Sequence, residues 1–275
     1  MQASQTNELQ KENKITEHIS FSELKNWCTC PHYHKLIHKD KLAAFEGNIH
    51  TAFGTAMHSV CESVISNEKI SPRQLFEKLF TEEIEKLPSK AEPPEKMVKE
   101  MRTQGFQLSP LPIPALSEHF GEFTYVSVEE KLYEPIEEFD AADFKFKGFI
   151  DLVIKTPDNK YHIIDWKTCS WGWDSRRKNE KMTTYQLTLY KKFWAQKMGV
   201  PLDQIETHFA LLKRTAKTNK VEIFRVTSGP QKIKNAVNLM LKALYNIHKN
   251  IHIKNKLSCH TRFGPCEFYK TEHCP

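Results

Sequence analysis

GFIDLV at residues 148–153 and IIDWKT at residues 163–168 decide how this chain reads. Each is a short apolar, β-branched run interrupted by an aspartate, and Pro157-Asp158-Asn159 between them marks a turn, so 144–166 predicts a hairpin. Asp165 and Lys167 are two apart and therefore share one face of a strand, and a long opposing arm could bring Asp151 beside Asp165. Two carboxylates converging with an ammonium are costly unless something neutralises them, and a divalent metal does. Oxygen ligands suit Mg²⁺ or Mn²⁺, which polarises a phosphate and acidifies a water that Lys167 can orient. A bare D-x-K string describes an ordinary surface ion pair equally well. What points to a site is its setting in apolar strands behind Gly148, because buried runs rarely carry acids.

Further strands are expected at Phe123–Tyr133, at about 205–213 and at 220–227, and a helix at 182–198 stopped by Gly199-Val200-Pro201. A last helix at 229–251 is amphipathic, with Ile233, Val237, Met240, Leu241 and Leu244 on one face. Upstream the texture is helical. A short helix covers 21–27, capped by Ser20 or Ser22; another covers Gly54–Asn67; a third follows Ser71-Pro72. The proline-rich stretch 88–118 reads as a loop with one short helix near 94–104. The order, helices then β-β-β-α-β-β then helix, predicts an α/β chain with a central mixed sheet flanked by helices. Residues 1–19 read as a disordered tail and 20–275 as a single domain. That domain divides into a helical part (20–120), a catalytic core (121–228) and a C-terminal helix with a cysteine-rich tail (229–275).

The chain has 275 residues, 39% hydrophobic and 27% charged, with room for a sizeable core. No apolar run approaches a membrane span, and the opening residues lack the apolar stretch of a secretory signal, so a cytoplasmic location is expected. The net charge of +6 is lopsided: eleven Lys or Arg lie between Lys213 and Lys256 against one acid, Glu222. A basic stripe suits a polyanion, usually nucleic acid, and describes a solvated helix face as well.

His58 and Glu62 are one helical turn apart, able to supply a metal ligand and its partner or to be an unremarkable surface pair. Gln186 and Tyr190 repeat that spacing; they could grip a phosphate or base, or Tyr190 could be core alongside Leu187 and Trp194. Trp171 and Trp173 beside Arg176 and Arg177 could stack on unpaired bases, or could pack a loop onto the core. Three of the seven cysteines fall in the last seventeen residues. In a cytoplasmic chain such clustering favours metal binding over disulfides, and unligated thiols remain the plain alternative.

In order, Ser20-Phe21-Ser22 with Cys30-Pro31-His32-Tyr33, Gly54-Thr55-Ala56-Met57-His58 with Glu62, Gly148 to Asp151, Asp165-Trp166-Lys167-Thr168, and Tyr185-Gln186 to Tyr190 resemble the RecB-like branch of the PD-(D/E)XK nuclease superfamily. The resemblance covers about 20–274 and implies a restriction-endonuclease-like core. It implies that Asp151, Asp165, His58 and the Trp166 carbonyl bind metal, that Lys167 is the catalytic lysine, and that Gln186 and Tyr190 contact DNA. Glu130 would match a glutamate of the first strand. Relatives of the AddB and CRISPR-adaptation kinds further imply a [4Fe–4S] cluster on Cys30, Cys259, Cys266 and Cys274. Cys28 could replace Cys30, and zinc is the competitor because His32, His34, His260 and His273 lie among the same cysteines. Cys61 and Cys169 read as structural. The activity so implied is a metal-dependent DNA exonuclease or end-processing nuclease, preferring single strands or ends, in repair, recombination or phage DNA metabolism, with a helicase or recombination partner. A catalytically weak DNA-end-binding module is the alternative, and RNA processing is a third reading.

Overall fold

The computed structural model describes residues 17–42, 47–66, 69, 71–261 and 264–275. Residues 1–16 of the expected tail lie outside the described residues, but its last three do not. They belong to strand β1 (Glu17–Ser20), which runs straight into α1 (Phe21–Thr29). Ser20 is the cap: its Oγ accepts the Glu23 N–H at 3.2 Å while its own N–H donates to Glu23 Oε2 at 2.6 Å. Cys30-Pro31 ends the helix and opens the short α2 (Pro31–His34).

The helical layer that follows is α3 (Ile49–Ser66), α4 (Pro72–Glu85), α5 (Glu95–Leu108) and α6 (Pro112–Phe120). The stretch expected to be mostly loop is thus mostly helix. Pro112 and Pro114 sit in the first turn of α6, where backbone N–H groups lack helical acceptors anyway. Gly105, a helix-weakening residue on propensity, lies inside α5 because a Cβ there would sit 1.9 Å from the Phe76 ring of α4.

The sheet comprises β1, β2 (Thr124–Pro135), β3 (Phe144–Lys155), β4 (Tyr161–Cys169), β5 (Ile205–Lys213) and β6 (Val221–Val226). Between β4 and β5 come α7 (Ser175–Asn179), capped by Asp174, and α8 (Lys181–Met198), which ends at left-handed Gly199 with φ 64°. Helix α9 (Pro230–His248) follows β6, and the tail closes with a small ribbon, β7 (His260–Thr261) and β8 (Gly264–Pro265).

Strand β3 organises the sheet. One edge pairs along its length with antiparallel β2. The other edge is shared: residues 144–147 pair with parallel β1, and residues 152–155 pair with antiparallel β4. Between those segments β3 and β4 diverge, while β4 goes on pairing with parallel β5 from Tyr161 to Cys169. The sheet therefore forks at residues 148–151. Apolar side chains cover both faces. Phe146, Ile163, Phe209 and Leu211 pack on α8, α9 and α1. Leu152, Ile164, Trp166 and Ala210 pack on α3 to α6. The result is the expected α/β architecture, a mixed sheet between two helical layers.

Candidate metal centre at the fork of the sheet

The last ladder pair before the fork is Leu152 with Ile164, so Asp151 and Asp165 stand opposite each other where the strands part. Asp151 bridges the gap with its side chain: Oδ2 accepts the Trp166 N–H at 2.7 Å. Asp165 is 1% exposed, and Lys167 Nζ lies 2.6 Å from its Oδ2. That contact is a buried ion pair, and Asp165 holds up the Lys167 pKa through it.

Helix α3 lies over this point and brings in His58, whose Nδ1 is 3.5 Å from Asp151 Oδ2. One turn on is Glu62, and one ligand atom from each of His58, Glu62 and Asp151 lies within 4.8 Å of the others. The charges are poorly balanced. Burial, then Glu129 and Asp151, push the Glu62 carboxyl up to about 7. Burial also raises Asp165, against the pull of Lys167. Burial opposes charge on His58, yet Asp151 and Asp165 outweigh it and raise its pKa; Lys167 is raised by the same two aspartates against its own burial. Desolvated carboxylates of Asp151, Glu62 and Asp165 converging with one histidine fit a divalent cation.

Glu130, the expected glutamate of the first strand, lies elsewhere: it pairs with Lys197 of α8 at 2.5 Å. Its neighbour Glu129, exposed and held at φ 50°, is the one whose charge reaches Glu62. Nothing in the local sequence distinguishes the two, because residue type does not mark the left-handed backbone at Glu129.

Tyr190 is buried in the same core cluster as Leu187 and Trp194, and its hydroxyl accepts from Gln186 Nε2 at 3.2 Å. Gly148 is what lets it in, since a Cβ there would meet Tyr190 Cε1 at 2.8 Å. Gln186 is only half-buried and lines a groove of about 470 Å³ with Gly148, Lys147, Lys41 and His38. Of the two tryptophans, Trp173 is buried edge-on to Phe209 beneath the Arg177 guanidinium, whereas Trp171 is 76% exposed. Arg176 and Arg177 line the wall of a second groove beside them.

The start of α2 also meets the tail that follows α9. His32 N–H donates to the Ile253 carbonyl at 3.2 Å, Asn255 Nδ2 to the Thr29 carbonyl at 2.9 Å, and Tyr33 hydroxyl to Glu267 at 2.9 Å. They enclose a cavity of about 570 Å³ lined by Cys30, Cys259, Cys266 and Cys274 together. Cys28 instead packs against the core, where burial pushes its thiol up to about 11.

A family model described as the PD-(D/E)XK nuclease superfamily matches residues 18–275. No curated protein sequence matches the chain. Among solved structures, a "putative exonuclease" from Eubacterium rectale aligns over 98% of this chain and 92% of its own, at 14% identity and a TM-score of 0.56, a likeness of fold. The protein SSO0001 aligns over 71% of this chain and 84% of its own at 12% identity, but its TM-score of 0.34 carries no argument.

Proposed function

This chain belongs to the PD-(D/E)XK nuclease superfamily, and from that premise we propose that it is a Mg²⁺- or Mn²⁺-dependent deoxyribonuclease of the RecB-like branch. On this reading it is an exonuclease or end-processing enzyme of the cytoplasm that acts on single strands or DNA ends. It would serve repair, recombination or phage DNA metabolism beside a helicase or recombination partner. The observation that carries the proposal is the convergence of His58, Glu62 and Asp151 at the fork, with Asp165 and Lys167 on the adjoining strand.

Asp151, Asp165 and His58 would hold the metal, with Glu62 beside them. The Trp166 carbonyl is a further candidate: a strand residue's N–H and C=O point to the same edge, and its N–H is directed into the fork. When bound, a divalent ion polarises the scissile phosphate and acidifies a water. Asp165 keeps Lys167 in place and protonated, so a fixed ammonium stands where negative charge develops on the phosphate. Gln186 and the groove lysines Lys41 and Lys147 would steer the strand toward the fork. Exposed Trp171, with Arg176 and Arg177, suits an unpaired base and its phosphate.

The cysteine cavity supports a [4Fe–4S] cluster on Cys30, Cys259, Cys266 and Cys274. A tetrahedral zinc needs its sulfur ligands about 3.8 Å apart. Among the described residues, no three Cys, His or acidic ligand atoms at this cavity come within 4.8 Å of one another. A four-iron cluster spreads its thiolates more widely. Anaerobic purification should yield a brown protein containing iron and sulfide; zinc without iron rejects the cluster.

End-labelled single- and double-stranded DNA incubated with Mg²⁺ or Mn²⁺ tests the activity and gives polarity and strand preference together. Asp165→Ala should abolish cleavage, by roughly 10³-fold or more, with DNA binding retained. A wild-type protein that binds DNA ends but cuts neither substrate with either metal would make the chain a binding module instead.

A further inference from the structure

Three residues before Asp165 on β4, about 10 Å along the strand, a second group of potential ligands faces the α6 side of the sheet. His162 and Glu206 are register partners across the parallel β4–β5 pair, and His208 is the next same-face residue of β5. His162 Nδ1 and His208 Nε2 are 3.1 Å apart, and Glu206 Oε2 lies 3.9 Å from each. We propose that these three side chains form a second metal site that takes a zinc-class ion, separate from the centre at the fork.

The triangle has the right size. A point equidistant from its three corners lies about 2.1 Å from each, the length of Zn–N and Zn–O bonds. A shared proton accounts for the two imidazoles, but 3.9 Å is too long for Glu206 Oε2 to be hydrogen-bonded to either. The surroundings hold Glu206 and His162 in place, while His208 Nδ1 is buried without a hydrogen-bond partner. Glu206 Oε1 is taken by Lys160 at 3.2 Å and Arg225 at 3.1 Å, which leaves Oε2 toward the imidazoles. The far nitrogen of His162 is 3.0 Å from Thr156 Oγ1, the kind of outer partner that orients a ligating ring. Both histidines are buried, at 7% and 3% exposure, with Phe120 and His119 packed edge-on to His208. Burial lowers both imidazole pKa values, against the pull of Glu206 on His162. Two imidazoles and one carboxylate with an outer position for water is a known zinc donor set.

Zinc content after loading with Zn²⁺ and dialysis against a weak chelator provides the test. Wild-type protein should retain one more zinc per chain than the His162→Gln/His208→Gln double variant, and Mn²⁺-dependent cleavage should be the same in both. Zinc should also raise the Tm of wild type only. Equal zinc in the two proteins, or zinc that leaves only when Cys266 is changed, overturns the site. Should the double variant fail to fold, wild-type crystals soaked in Zn²⁺ decide the question at the zinc absorption edge. An anomalous peak between His162 Nδ1, His208 Nε2 and Glu206 Oε2 is expected, and no peak there refutes the proposal.

Discussion

Two of the places where separate parts of the chain meet are built in different ways. At the fork, the polar groups are held by the sheet: ladder pairs run up to Leu152 and Ile164, Asp151 is tied to the Trp166 N–H, and the Asp165–Lys167 pair sits in a packed strand. At the tail junction, a few isolated hydrogen bonds and the rim of a cavity join α1 and α2 to the tail. The fork is therefore preorganised by backbone, and on the proposed reading it would take an ion for chemistry. The junction has little backbone pairing and, on that reading, would depend on the cluster its cysteines would hold.

Substitution at the fork should give the largest effect. Lys167→Ala should lower single-turnover cleavage by roughly 10³-fold in a protein that still folds; cleavage within tenfold of wild type would remove the lysine from the chemistry. Cys266→Ala should do the reverse, releasing the iron and speeding hydrogen exchange across 251–275 while the sheet amides stay protected. If the sheet loosened as much as the tail, the two regions would be one cooperative unit and the contrast would fail. His58→Ala should weaken the response to metal, raising the Mn²⁺ concentration for half-maximal cleavage by roughly 10- to 100-fold. Gly148→Ala forces the Tyr190 ring to shift, and a chemical denaturation curve should show a loss of about 1–3 kcal/mol. The smallest effect is on acid tolerance. His34 beside the junction is buried, and burial lowers its pKa to about 4. An unfolded chain takes up that proton below about pH 6.5 and the folded one does not. The contribution is therefore complete above pH 6.5 and fades as pH falls toward 4. His34→Leu should flatten the fall of Tm between pH 6.5 and 4; an unchanged slope would clear His34.

Much of the fork was legible because it rests on local signals. The alternation in GFIDLV and IIDWKT, the turn between them, the same-face rule for Asp165 and Lys167 and the Gly199 stop of α8 each need only a few residues of context. What escaped depends on long-range register. Glu17–Ser20 is mostly polar and buries only Ile19, so nothing marks it as a strand until β3 supplies a partner. Of Glu129 and Glu130, the one whose charge reaches Glu62 is the left-handed residue, which residue type does not mark. Tyr190 had a core reading and a DNA reading, and the fold serves both: it is buried beneath Gly148 and it edges the groove with Gln186. His162 and His208 are 46 residues apart and come together only through the parallel β4–β5 pairing.

The four residues of β1 have a practical consequence. They cap a third of an edge of β3 that otherwise presents unpaired N–H and C=O groups at Phe144–Lys147. A protein trimmed to begin at Phe21 would keep every residue assigned to cutting DNA and still acquire a sticky border. Edge-on self-association, growing with concentration, is the expected failure of such a truncation, and a short polar peptide spanning 17–20 should compete with it.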